Sequence, residues 1–147
     1  VPGSKKKQQE KSKQLQRGIL KFDSLDLNDS ATFFKAWLRC MICPIVPFHM
    51  IDKFIKAASE NKYIEFADSL PIIHRDTLMY LIGFCRKITS ASDKNMMVPK
   101  NIAICFAPNI VVPPASMSSR SDEINQYSID FIIKLIEHWD VSSIYNE

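Results

Sequence analysis

The chain has 147 residues, 46% of them hydrophobic, and a formal net charge of +3, which suits one domain around a single core. No run of about 18 uninterrupted apolar residues occurs, so a membrane-spanning helix is excluded. A lysine run near the amino terminus has no apolar segment behind it and does not read as a secretory signal.

Residues 4–17 are rich in Lys, Gln and Glu, with Ser4 as a cap and Gly18 as a stop, and predict a basic surface helix within residues 1–18. Six bases (Lys5, Lys6, Lys7, Lys11, Lys13 and Arg17) face only Glu10 there, so this arm carries +5 and the remainder −2. Such an arm can meet nucleic acid, anionic lipid or an acidic protein; it can equally be a solvated helix face. A loop with Asp23, Asp26 and Asp29 follows, and Asp29 or Ser30 can cap the next helix. Asn28-Asp29-Ser30 fits the glycosylation pattern but reads here as that cap and turn.

The helix after this loop is the most informative stretch. Phe33, Phe34, Trp37, Leu38 and Met41 fall on one side, while Lys35 and Arg39 lie one turn apart on the other. Cys40-Met41-Ile42-Cys43-Pro44-Ile45-Val46-Pro47 stops it. An exposed cation on a helix ordinarily serves only solvation. Two of them, stacked beside a proline stop, make a fixed positive surface suited to recognition.

Pro47 opens a helix with Phe48, Ile51, Ile55 and Ala58 at core spacing. A shorter one runs through Tyr63, Phe66, Ala67 and Leu70 and ends at Pro71. Over residues 72–88, Leu78, Leu81, Ile82 and Cys85 line one face, and Gly83 suggests a close helix contact. A polar loop over 90–94 leads to a helix from Pro99, with Ile102, Cys105 and Phe106 inward and Pro108 as its stop. Residues 113–121 read as a flexible loop. The last helix, 122–139, places Ile124, Tyr127, Phe131, Leu135 and His138 at core spacing. No segment alternates for long enough to make a half-buried strand. The expectation is an all-α single domain of about six or seven helices, with a helical core over 19–139 and a tail over 140–147.

Catalytic and metal chemistry find little footing. Glycine occurs only at positions 3, 18 and 83, too sparsely for a phosphate-cradling loop. There is no G-x-S-x-G elbow and no H-E-x-x-H helix. His74-Arg75-Asp76 has the look of a kinase catalytic loop, but the glycine-rich loop and D-F-G are missing. Cys40-x-x-Cys43 has no second ligand pair, so no metal site and no cofactor is expected. The four cysteines are expected to stay reduced, as in a cytoplasmic protein.

Three motifs remain, in a specific order. The chain reads Lys35, Leu38-Arg39 and then Pro44-Ile45-Val46-Pro47; next Leu70-Pro71-Ile72-Ile73-His74-Arg75-Asp76-Thr77-Leu78; and last Asn95-Met96-Met97 through Asn101-Ile102-Ala103 to Phe106-Ala107-Pro108-Asn109-Ile110. This order resembles the RhoGAP domain, the GTPase-activating module for Rho-family small GTPases, over nearly the whole chain. The departures are Met41-Ile42 for the first L-P, His74 for the usual Asn and Ala107 for the Gly of G-P-N.

The resemblance implies a domain that binds GTP-loaded Rho-family GTPases and promotes GTP hydrolysis, a regulator rather than an enzyme itself. It implies GTPase-binding roles for Lys35, Arg39 and Asn109: Lys35 facing the GTPase, Arg39 bracing the interface, and Asn109 hydrogen-bonding across it as an outward group. The family's catalytic arginine precedes a tract like Val1-Pro2-Gly3-Ser4, so the finger is expected immediately before Val1, in an N-terminally truncated RhoGAP-like domain. Two other readings stand beside this one. The first is a binding-only module of the same fold. The second is a basic helical domain whose residues 4–17 bind anionic lipid, with recruitment to a membrane surface, or nucleic acid. Nucleic acid is not expected as a partner, because the arm lacks interleaved aromatics.

Overall fold

The computed structural model describes residues 44–144. Backbone proximity divides the chain into two compact units, Val1–Ile42 and Cys43–Glu147, and the described residues belong to the second. They form six α-helices and no strand: α1 (Ile51–Ser59), α2 (Tyr63–Asp68), α3 (Ile72–Thr89), α4 (Ser92–Asn95), α5 (Pro99–Ile110) and α6 (Ser121–His138). Short 3₁₀ turns cover Phe48–Met50, Ala115–Arg120 and Ser142–Ile144. The all-α expectation holds for these residues.

Two prolines and one asparagine set three of the boundaries. Pro71 precedes α3 in an extended conformation, and Pro99 is the first residue of α5, where a missing N–H costs nothing. Helix α1 ends at Asn61, whose φ of 56° is left-handed. The Asn61 N–H donates to the Ala58 carbonyl (3.0 Å) and the Lys62 N–H to the Ala57 carbonyl (2.8 Å), so two orphan carbonyls are satisfied together. Among non-glycine residues, asparagine tolerates this conformation best.

Helix α6 is the centrepiece of this unit. It packs most extensively along α5 and also touches α1, α2 and α3. Its buried face, Ile124, Ser128, Phe131, Ile132, Leu135 and Ile136, follows the 3.6-residue period. Phe131 lies edge-on to Phe54 (ring centroids 5.3 Å apart) and to Phe66 (5.8 Å), with Tyr63 tilted against it at 6.1 Å. Edge-to-face pairs add about 0.5–1.5 kcal/mol each beyond simple burial. Burial also pushes the Tyr63 phenol up to about 12.

The carboxyl end of α6 is closed by a long-range cap. The Arg86 guanidinium, from α3, donates to the carbonyls of Ile136 (2.8 Å), Leu135 (2.9 Å) and Trp139. A cation there also complements the negative end of the helix dipole. The buried Trp139 indole donates to Asp68 Oδ1 at 2.9 Å and ties the same corner to α2.

Several sequence expectations are corrected. Phe48 is 51% exposed, because it sits in a 3₁₀ turn and so falls out of phase with Ile51 on α1. Pro108 does not stop α5; it lies exposed in the last turn, and the Val111 N–H still reaches the Ala107 carbonyl (3.1 Å). The helix ends instead where Val111 turns extended. Cys105 is exposed, since the buried stripe is centred on Ile102, Ala103, Phe106 and Ile110. His138 lies off the buried face of α6 and is exposed, while Tyr127 is half-buried. The polar segment over 90–94 contains the start of α4, and residues 113–121 include a 3₁₀ turn rather than a featureless loop.

Candidate functional site

Of the three residues singled out for recognition, Lys35 and Arg39 lie outside the described residues. Asn109 lies in the final turn of α5 and is 5% exposed. Its Nδ2 donates to the Cys105 carbonyl, one turn earlier, at 3.1 Å. The expectation of an outward group is therefore corrected: Asn109 is a buried polar residue at a helix end. An amide there can hold a backbone carbonyl and present its oxygen as an acceptor at the same time.

The helix end that carries Asn109 is joined to the proline-bounded segment, residues 44–47. The Val46 N–H donates to the Ile110 carbonyl at 3.2 Å, across most of the sequence of this unit. That carbonyl belongs to the last turn of α5, where intrahelical donors run out. On its other side the segment is held by α3. His74 Nδ1 lies 2.9 Å from the Ile45 carbonyl, and because a carbonyl can only accept, Nδ1 carries the proton. Ile45 and Val46 are almost completely buried.

The loop leading into α5 is held by two asparagines of the third motif. Asn95 Nδ2 donates to the Ile88 carbonyl (2.9 Å) and its Oδ1 accepts from the Met97 N–H (2.9 Å), tying the end of α4 back to α3. Asn101 Nδ2 donates to the carbonyl of Met96 (3.2 Å), a residue in left-handed conformation at φ 58°. These asparagines set where α5 starts, and with it where Asn109 ends up. Sequence reasoning named both as motif letters without seeing that their work is local.

Among the described residues no group of three or more His, Cys, Asp or Glu side chains could hold a metal ion; Cys40 and Cys43 lie outside them. Cys85 is buried, and burial pushes its thiol up to about 12, which makes it a poor nucleophile. No described helix is long and apolar enough to cross a membrane. The described part of the site is thus a helix end joined to a clamped proline segment.

Comparison with known proteins agrees with the motif order. A family profile, the RhoGAP domain, matches residues 1–115. The chain is 32% identical to the Rho GTPase-activating protein gacII of Dictyostelium discoideum over 132 residues, covering 85% of this chain and 16% of that protein. It is 27% identical to human Rho GTPase-activating protein 44, covering 80% of this chain and 15% of that protein. Mouse beta-chimaerin is 28% identical, with 79% of this chain and 37% of that protein covered. The chain thus spans well under half the length of these relatives. Among solved structures, the BH domain from GRAF, the GTPase regulator associated with focal adhesion kinase, superposes with a TM-score of 0.75 at 20% identity, covering all of this chain and 82% of that one. Human Rho GTPase activating protein 15 gives a TM-score of 0.78 at 21% identity, covering 99% of this chain and 71% of that one. At these identities the superpositions establish the fold.

Proposed function

The chain belongs to the RhoGAP domain family, and on that premise we propose that it docks on GTP-loaded Rho-family small GTPases and promotes their GTP hydrolysis. The observation that carries this reading is the match over residues 1–115, within which the three motifs stand in order. Hydrolysis by a small GTPase is limited by uncompensated charge on the transferring phosphoryl group, and an arginine supplied in trans adds about 10³–10⁵ to the rate. The activator otherwise needs a rigid surface that orders the partner's switch segments. In this reading Lys35 and Arg39 supply the positive part of that surface. Asn109 contributes a carboxamide, turning from its bond to the Cys105 carbonyl to meet the partner. The arginine finger is the residue that the resemblance expects before Val1. Action in the cytoplasm, with residues 4–17 drawing the domain to an anionic membrane surface, completes the proposal.

The test is binding of the Lys35→Ala and Asn109→Ala variants to a Rho-family GTPase loaded with a non-hydrolysable GTP analogue. Each variant is expected to bind at least fivefold more weakly while keeping its helical circular dichroism. Loss of binding only together with loss of helical signal makes these residues structural and overturns their assignment. An affinity that collapses with salt, and with removal of residues 4–17, favours the basic-arm reading instead.

A further inference from the structure

His74 and the segment at residues 44–47 form a clamp that the docking reading does not use. His74 reaches back 29 residues in sequence to the Ile45 carbonyl. The next residue, Val46, gives its N–H to the Ile110 carbonyl. Ile110 is the neighbour of Asn109 and the last residue of α5. Three elements are thereby joined in series: the start of α3, the proline-bounded segment and the carbonyl end of α5.

We propose that His74 is a positioning residue for the docking surface: by holding residues 44–47 it holds the end of α5, and so the place of the Asn109 carboxamide. This rests on the docking reading given above. The Ile45 carbonyl is buried, so losing its donor leaves it without solvent compensation. Pro44 and Pro47 carry no N–H, so the segment has few backbone donors with which to anchor itself. Val46 is a donor it does use, on the Ile110 carbonyl. A donor at position 74 is therefore the requirement, and the imidazole of this chain meets it where the resembling motif has Asn. The side-chain amide of Asn supplies the same N–H chemistry.

The experiment uses the wild-type chain and the variants His74→Leu, which has no donor, His74→Asn and His74→Gln. Amide hydrogen exchange is read at Val46, with Ile132 in the buried face of α6 as an internal control. Affinity is measured for Rho-, Rac- and Cdc42-class GTPases loaded with a non-hydrolysable GTP analogue. His74→Leu is expected to speed Val46 exchange by about threefold to tenfold, the range of one hydrogen bond, with Ile132 unchanged. It should weaken GTPase binding by a similar factor, and His74→Asn should restore both readouts. Unchanged Val46 exchange in His74→Leu overturns the clamp. Faster exchange with unaltered affinity overturns its role in docking, as does an affinity loss that neither Asn nor Gln repairs. A wild-type chain that binds none of the three GTPase classes sinks the docking reading and the positioning role with it; the clamp is still decided by Val46 exchange. If His74→Leu does not fold, the Asn and Gln variants carry the comparison, and a loss of Val46 protection in both overturns the proposal.

Discussion

Replacing Arg86 by methionine tests the physical account of the fold most sharply, because it keeps the aliphatic stem and removes only the guanidinium. That group caps three carbonyls at the end of α6, those of Leu135, Ile136 and Trp139. Hydrogen bonds to a charged group are worth about 1.5–3 kcal/mol each, but these share one half-buried guanidinium and solvent replaces part of the loss, so about 2–4 kcal/mol is expected. With a urea dependence of about 2 kcal/mol per molar, the middle of the usual range, the unfolding midpoint should fall by about 1–2 M. Circular dichroism at 222 nm during urea titration reads this directly. Arg86→Lys should lose an intermediate amount, since an ammonium cannot span the same set of acceptors. Lys53→Ala, on the exposed side of α1, should stay within about 0.5 kcal/mol. An Arg86→Met chain as stable as wild type, with the same urea dependence, would refute the cap.

Phe131→Ala should cost about 3–5 kcal/mol, because its ring meets Phe54, Tyr63 and Phe66 at once; thermal unfolding checks this, and a loss below about 1 kcal/mol contradicts the aromatic core. Peptide mapping after brief alkylation should find Cys105 labelled in the native chain and Cys85 labelled only after unfolding; equal rates would contradict their placement. The Glu123 carboxyl is held below its usual 4.5 by its hydrogen bond from Arg120. A depressed folded value means that its contribution is complete above the unfolded value and is lost as pH falls through the folded one. Glu123→Gln should therefore lose a little stability at neutral pH, as suits an exposed pair, converge with wild type in acid, and so slightly flatten the acid limb of a stability–pH profile; steeper acid loss in the variant has the wrong sign.

What the sequence disclosed and what it withheld divide along a physical line. The break at Pro71, the helix start at Pro99, and buried faces marked by Leu78, Leu81 and Ile82 or by Phe131 and Leu135 are local signals and were legible. The Arg86 cap was not, because its acceptors lie 49 to 53 residues away and are backbone carbonyls with no sequence signature. The His74 clamp was hidden for the same reason. Pro108 misled because a proline near a helix end removes a single bond and need not stop the ladder. Asn109 was marked by its motif, yet its burial was invisible: an asparagine reads as a surface residue until its amide is seen bonded to the Cys105 carbonyl. The spacing of Asn61 before Lys62 carried a helix-end signal that went unused.

The most direct test of the functional account is titration of this chain into one Rho-family GTPase prepared in two states, one with a non-hydrolysable GTP analogue and one with GDP. The account predicts saturable binding to the GTP-like state, at least tenfold weaker binding to the GDP state, and further weakening of the former by Lys35→Ala. Equal affinity for the two states, or no binding to either across the Rho, Rac and Cdc42 classes, would contradict it.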